Sequence, residues 1–180
     1  DGHGCSGAVA GLWAQQVGAG PSWRMAKRTG MSLKMSSQVD GGNPEYLDLF
    51  GRENEGQFSD WIREIGENEK SDFLGKACAL LFPIQWPEPF GLTMIEAMAC
   101  GTPVLATPCG SVPEIVVDGV TGFIRPTVDG LVEAAGHLGE IDRMTCRTQV
   151  EQHFSARSMA IGYERLYDLL ISERMGEYSS

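Results

Sequence analysis

Two carboxylates, Glu88 and Glu96, stand eight positions apart on either side of a short glycine-containing turn. The turn, residues 90–93, opens an apolar helix, and the first backbone N–H groups of a helix have no partners within it. These N–H groups and the positive end of the helix dipole favour a phosphate. Carboxylates repel a bare phosphate but accept hydrogen bonds from hydroxyl groups. The pattern therefore indicates a ligand with central phosphates and hydroxyls at both ends, such as a nucleotide-sugar.

Simpler interpretations exist for each of these residues. The two glutamates could be a loop residue and a helix residue that are merely solvated, Gly91 could be an ordinary turn glycine, and Thr93 could be a first-turn helix residue. Glu96, however, is the charged residue in a helix otherwise built from Met, Ile and Ala. A charge in such a setting favours the functional interpretation.

The composition excludes several classes of protein. Fourteen Lys and Arg against 24 Asp and Glu give a net charge of -10, so we expect no nucleic acid partner. Five cysteines, an odd number without a C-x-x-C pair, indicate reduced thiols in a cytoplasmic protein rather than a disulfide framework. The three histidines share no metal-ligand spacing, and no apolar run is long enough to span a bilayer. We therefore predict no metal site and no transmembrane segment.

Apolar strand-like and helix-like segments alternate along the chain, which predicts an α/β fold with a Rossmann-like parallel sheet flanked by helices. The predicted strands are 33–39, 61–65, 79–84, 103–107 and 122–124. The predicted helices are 44–50, 67–74, 92–100, 113–117, 128–138, 143–153 and a long C-terminal helix, 156–175. Ligands bind such sheets at the carboxyl ends of the strands, which is where residues 88–96 lie.

The chain divides into three predicted parts. Residues 1–26 are rich in Gly, Ala and Ser without sustained periodicity, which predicts a poorly ordered or atypical segment. Residues 27–154 form the Rossmann-like domain, and 155–180 form the C-terminal helix and tail. Apolar residues recur at steps of three and four along that helix, so we expect this face to pack on another surface. Self-association of two copies of the chain through this helix is one such arrangement.

The run LFPIQWPEPFGLTMIEAMACGTPVLATPCGSVPEIVVDGVTGFI, residues 81–124, resembles the donor-binding half of family 4 (group 1) retaining glycosyltransferases. In that family two Rossmann-like domains face each other in the GT-B fold, and the glutamates around EPFGL form a specific motif. The similarity extends to 68–77 and 153–167 and covers roughly 28–172. An intact family member would be about twice this length, so the resemblance implies the C-terminal half.

The resemblance assigns a role to each part of the motif. Glu88 would contact hydroxyls of the transferred sugar and is the implied catalytic residue, and Glu96 would hold the ribose hydroxyls. Backbone amides of 90–92 would approach the sugar and the distal phosphate, and Thr93 would assist at the phosphates. The implied donor-binding residues are Glu88, Phe90, Gly91, Leu92, Thr93 and Glu96.

The activity implied by the resemblance is retaining transfer of a sugar from a nucleoside diphosphate sugar to an acceptor hydroxyl, without a metal or another cofactor. The leaving diphosphate then needs cations of the protein. The family's Gly-Arg and following Lys are not found in residues 1–25, and the cations nearby are Arg24, Lys27 and Arg28. Neither the donor base and sugar nor the acceptor follows from the sequence.

Two alternatives remain. The chain could be a non-catalytic or degenerate nucleotide-sugar-binding module, because it has room for one such domain. It could also be a nicotinamide-dependent oxidoreductase, since residues 2–7 match G-x-G-x-x-G, although that fingerprint should follow a strand.

Overall fold

Six strands, numbered along the chain, form one parallel sheet in the computed structural model, which describes residues 8–12, 19–36, 59–62 and 65–177. The strands are β1 Ala8–Leu12, β2 Ser32–Ser36, β3 Ser59–Ile62, β4 Leu80–Phe82, β5 Val104–Ala106 and β6 Gly122–Ile124. Their order across the sheet is β3-β2-β1-β4-β5-β6. The predicted parallel α/β fold is therefore confirmed.

The direction of the chain across the sheet reverses between β1 and β4. From β1 the chain moves outward to β2 and β3, and it then returns to β4 and moves the other way to β5 and β6. In the backbone register, Ala10 lies between Lys34 of β2 and Leu80 of β4. Such a reversal opens a crevice at the carboxyl ends of the strands, where open α/β sheets bind their ligands.

Helices cover the sheet in two groups. They are α1 Ala19–Thr29, α2 Glu67–Gly75, α3 Leu92–Ala99, α4 Val112–Ile115, α5 Val128–Ala135, α6 Arg143–His153 and α7 Ala156–Glu177, with a 3-10 turn at Leu138–Glu140. Helix α1 packs against α5, whereas α3 packs against α2 and α6. Right-handed crossovers that leave the sheet centre in opposite directions place α1 and α3 on opposite faces.

The central strands are short because both of their faces are covered. Every residue of β4 and β5 is buried, which is typical of parallel strands between two helix layers. The largest fully buried side chains come from both helix layers and from the sheet: Met25, Leu33, Met35, Leu74, Leu80, Leu81, Ile84, Met94, Met98, Leu105 and Leu131. This core fixes the carboxyl ends of β4 and β5, from which the candidate site is built.

Arg143 ties the first turn of α6 to the end of α2. Its guanidinium donates to the carbonyl of Ala77 at 2.8 Å and to the carbonyl of Gly75 at 2.7 Å. It also donates to Oγ1 of Thr102 at 2.9 Å, just before β5. One side chain therefore joins three segments behind the candidate site.

The prediction of poor order for residues 1–26 is wrong for 8–12 and for 19–26. Residues 8–12 form β1 between β2 and β4, and α1 begins at Ala19. Five small residues show no periodicity of their own, and this strand is defined by its pairing with two neighbours distant in sequence. Residues 1–7 and 13–18 lie outside the described part of the chain.

Most of the other predicted elements are confirmed, with ends that shift by a few residues. The predicted strand at 61–65 is β3, which begins two residues earlier, at Ser59, and ends at Ile62. The helix predicted at 128–138 ends at Ala135 and is followed by the 3-10 turn. The helix predicted at 44–50 lies outside the described residues.

The long C-terminal helix is confirmed, but its apolar side chains are exposed. The exposed apolar residues of α7 are Met159, Ile161, Tyr163, Leu166, Tyr167, Leu169, Leu170 and Ile171. The rings of Tyr163 and Tyr167 lie next to each other, with 6.1 Å between their centroids. Self-association through this helix stays a prediction. Within the described ranges, none of the helices has the length and apolar character needed to cross a membrane.

Candidate functional site

The loop after β4 carries Glu88 and is held against the loop after β5. The backbone N–H of Ser111 donates to the Glu88 carbonyl at 2.8 Å. Gly110, with φ +57°, lies so close that a Cβ there would come within 2.3 Å of the Glu88 carbonyl oxygen. Only glycine allows this approach of one backbone to the other. The position of Glu88 is therefore set by two loops at the carboxyl ends of neighbouring strands.

The Glu88 side chain turns toward the first residue of the helix that follows. Its Oε1 accepts a hydrogen bond from the backbone N–H of Gly91 at 3.0 Å. Gly91 precedes α3 with φ +77°, a conformation that strains other residues. The carboxylate thus lies at the N-terminal end of α3, where backbone N–H groups and the helix dipole favour negative charge. Glu88 and the start of this helix therefore lie together.

Glu96, on α3, forms an ion pair with Lys70. The Lys70 Nζ lies 3.0 Å from Glu96 Oε1, and both side chains are partly buried. Lys70 belongs to α2, so the pair joins two neighbouring helices. Sequence analysis missed Lys70, because the pair spans 26 positions. The available signal was topological: α2 and α3 both follow strand ends, so their early residues lie at the same edge of the sheet.

The remaining predicted residues form the rim of this edge. The side chains of Phe90 and Leu92 are 53% and 64% exposed. Thr93 is half-buried in the first turn of α3, and Gly91 is buried. The six predicted residues therefore occupy one continuous segment from the β4 loop through the first turns of α3.

Lys27 and Arg28 lie away from this segment. Helix α1 follows β1 and runs back toward the opposite edge of the sheet. Its last turn, which contains both residues, therefore lies at the edge opposite the carboxyl ends of the strands. Arg28 pairs with Asp129 of α5, and the Lys27 ammonium lies 5.1 Å from the centroid of the Trp23 ring. These two cations therefore lie away from the strand ends, and Lys70 is the cation found beside Glu96.

Two buried polar atoms border the site without a hydrogen-bond partner. They are Oγ of Ser111 and Nε1 of Trp86, the unsatisfied buried side-chain atoms among the described residues. The Ser111 hydroxyl lies 3.4 Å from the place that a Cβ on Gly91 would take. Such orphaned groups cost about 1–3 kcal/mol each.

The end of α3 holds Cys100, whose thiol stays protonated. Burial raises the pKa of this thiol, and the negative charge of Glu96 raises it further. A protonated thiol is a poor nucleophile. Among the described residues, no group of three or more His, Cys, Asp or Glu side chains is arranged to hold a metal ion. The chemistry of this edge is therefore that of carboxylates, backbone amides and one ammonium group.

The family model for glycosyl transferases group 1 matches residues 53–137. This range contains Lys70, Glu88, Glu96 and the loops that hold them. The chain is similar to group 1 glycosyl transferases over these residues. It is 26% identical over 159 residues to N-acetyl-alpha-D-glucosaminyl L-malate synthase of Bacillus anthracis, an alignment that covers 80% of this chain and 42% of the relative.

Solved structures of glycosyltransferases share the fold. AviGT4, a glycosyltransferase involved in avilamycin A biosynthesis, superposes with a TM-score of 0.71 at 23% identity over 92% of this chain and 51% of that chain. The C-terminal domain of a glycosyl transferase group 1 family protein from Francisella tularensis superposes with a TM-score of 0.64 at 18% identity. That superposition covers 83% of this chain and 86% of the domain.

The chain spans about half the length of the full-length proteins it matches, 42% of the Bacillus anthracis enzyme and 51% of AviGT4. By contrast, it spans most of the isolated C-terminal domain from Francisella tularensis. The expected match to one half of a two-domain glycosyltransferase is therefore confirmed. The glycine fingerprint at residues 2–7 precedes β1 rather than following it, and so it lacks the context of a dinucleotide-binding site.

Proposed function

We propose that this chain supplies the donor-binding half of a retaining glycosyltransferase. The reaction is the transfer of a sugar from a nucleoside diphosphate sugar to an acceptor hydroxyl without a metal ion. The observation that carries this proposal is the placement of Glu88 and Glu96 about one helical turn on either side of the start of α3. That helix start lies beside the point where the strand order reverses, which favours a ligand with negatively charged phosphates.

The two carboxylates have different neighbours, which supports different roles. Glu88 is held by Gly91 at the start of α3, and we assign it to the hydroxyls of the transferred sugar. Oriented in this way, the sugar presents its anomeric carbon to the acceptor, and correct orientation accounts for a large part of enzymatic rate enhancement. Glu96 lies deeper along α3 and is assigned to the ribose hydroxyls. Neither carboxylate is assigned to contact the negatively charged phosphates.

The diphosphate is assigned to the turn between the two carboxylates. The backbone amides of Phe90 and Leu92 and the hydroxyl of Thr93 provide the hydrogen-bond donors there, while the Gly91 amide already donates to Glu88. Because these donors are fixed by the helix and by the glycine at its start, they stabilise the leaving diphosphate without reorganising during the reaction. Phe90 and Leu92, exposed at the rim, are well placed to exclude water from a bound donor.

Isothermal titration calorimetry with UDP-, GDP- and ADP-sugars tests this proposal. We expect one of these donors to bind the purified chain, and Glu96→Ala to weaken that binding about tenfold. Glu133→Ala is the matched control, because Glu133 is an exposed glutamate on α5, away from the strand ends. The absence of heat with every donor, or equal losses in both variants, would contradict the proposal.

An activity assay separates catalysis from binding. Transfer of the sugar to any added acceptor by this chain would be incompatible with a purely non-catalytic module. Binding of a donor without transfer would favour a non-catalytic nucleotide-sugar-binding module. Preferential binding of NADH over every sugar nucleotide would favour an oxidoreductase instead.

A further inference from the structure

The ion pair between Lys70 and Glu96 differs from the other ion pairs of the described residues. Its side chains are 26% and 36% exposed, whereas those of Lys76 and Asp72 are 75% and 74% exposed. It connects two helices, α2 and α3, and it is less exposed than the Arg28–Asp129 pair, which also joins two helices. Exposed pairs are weakly coupled because water and salt screen them. The Lys70–Glu96 pair is therefore the one best able to fix the position of a side chain.

We propose that Lys70 is a positioning residue for the ribose end of the donor. Its ammonium holds the Glu96 carboxylate in the orientation that accepts hydrogen bonds from the ribose hydroxyls. This inference rests on the proposed function, in which Glu96 contacts the ribose. Lys70 acts through Glu96 and does not touch the reacting atoms.

The hydrogen-bonding capacity of a carboxylate allows this arrangement. An ionised carboxylate has two oxygens and about four acceptor positions, and Lys70 occupies one of these at Oε1. The remaining positions suffice for two neighbouring ribose hydroxyls. A side chain already oriented by its partner also loses less conformational entropy when the ligand binds, which increases affinity.

The charge of Lys70 has a second effect at the same place. Two carboxylates beside one helix start would repel a diphosphate, although they suit its sugar and ribose ends. An ammonium 3.0 Å from Glu96 offsets one of these negative charges. The offset acts at Glu96, the carboxylate assigned to the ribose end.

Two nucleotides that differ only in their ribose hydroxyls test this inference. The probes are the nucleoside diphosphate that binds most tightly among UDP, GDP and ADP, and its 2′,3′-dideoxy analogue. We expect Lys70→Ala to weaken binding of the parent nucleotide about tenfold and to leave binding of the dideoxy analogue unchanged. Lys70→Arg should restore most of the affinity, because arginine also pairs with a carboxylate. Lys76→Ala, at an exposed lysine that ends the same helix, should change neither.

A double-mutant cycle provides the independent measurement. In the Glu96→Ala background, Lys70→Ala should cause no further loss, since a residue that acts through Glu96 has nothing left to position. Equal losses for the parent and dideoxy nucleotides, additive losses in the cycle, or unchanged affinity in Lys70→Ala would each overturn the inference. If Lys70→Ala unfolds, Lys70→Met keeps the aliphatic stem and replaces it in both measurements. Failure of the unmodified chain to bind any nucleoside diphosphate would instead contradict the proposed function.

Discussion

The Glu88 carboxylate accepts a hydrogen bond from the Gly91 N–H, with 3.0 Å between Oε1 and the amide nitrogen. This bond satisfies one of the backbone donors that a helix start leaves without a partner. It also fixes the side chain of Glu88 next to a turn that suits a phosphate. The same contact therefore orients the carboxylate before any ligand is present.

Glu88→Ala should separate recognition of the sugar from recognition of the nucleotide. On the proposed roles, the variant loses contacts to the transferred sugar, so affinity for the nucleoside diphosphate sugar falls about tenfold while affinity for the nucleoside diphosphate stays close to that of the parent chain. Glu96→Ala should weaken both ligands by a similar factor. Calorimetry with the two ligands measures each affinity. If Glu88→Ala lowers both affinities equally, the separate roles of the two glutamates are wrong.

Gly91→Ala should destabilise the chain more than Gly119→Ala does. Gly91 has φ +77°, and a Cβ there would lie 2.2 Å from Cε of Met94. The backbone strain costs about 1–2 kcal/mol, and displacement of the buried Met94 adds to it. Gly119→Ala is the matched control, because Gly119 has φ +75° with nothing within 4 Å of its Cβ position.

Thermal unfolding and donor titration measure the two effects of this substitution. Gly91→Ala should lower the melting temperature more than Gly119→Ala and should also weaken donor binding, whereas Gly119→Ala should leave donor binding unchanged. Equal melting temperatures in the two variants would show that Met94 moves aside without cost.

Arg143→Ala should destabilise the fold through three lost hydrogen bonds. The carbonyls of Gly75 and Ala77 would lose a charged donor, and we expect the free energy of unfolding to fall by about 2–4 kcal/mol. Urea denaturation measures this change. Arg147→Ala is the control: Arg147 makes an exposed pair with Glu151 within the same helix, and its loss should leave the unfolding midpoint unchanged. Similar midpoints for the two variants would contradict the structural role of Arg143.

The elements around the site could be predicted from the sequence because their signals are local. The apolar run after Lys76 and the run Pro103–Thr107 are bounded by polar or glycine residues, and both contain buried strands. The helix between them starts at a glycine and carries one charge on an apolar background. Each of these signals lies within a window of about ten residues, in which periodicity and turn residues are informative.

Strand β1 and the partner of Glu96 could not be predicted because their signals are not local. The strand Ala8–Leu12 is defined by pairing with β2 and β4, one of which lies about seventy residues away along the chain. The Lys70 ammonium meets Glu96 only after two crossovers have placed α2 beside α3. Intrinsic strand preference is weak in short segments of small residues, so tertiary context determines the outcome.

The pH dependence of the free energy of unfolding tests whether the Cys146 thiol, behind the site, is buried. The side chain is buried on α6, its Sγ lies 3.7 Å from the Thr121 carbonyl, and burial raises the pKa of the thiol from 9.0 to about 11. Well below pH 9 the thiol is protonated in both the folded and the unfolded chain, so it contributes no pH dependence. Between pH 9 and 11 the unfolded chain loses this proton first, which favours unfolding. The free energy of unfolding should therefore fall as the pH rises through this window.

Comparison with Cys146→Ala isolates the contribution of this thiol from those of other titrating groups. Urea denaturation from pH 8 to 11 should show a steeper loss of stability in the unmodified chain than in the variant, with parallel behaviour below pH 9. At pH 8, a thiol reagent should modify Cys146 in the native chain far more slowly than in the urea-unfolded chain, because the reactive thiolate is scarce and the side chain is covered. Equal slopes above pH 9, or fast native modification at this cysteine, would mean that the α6 side of the core opens readily to water.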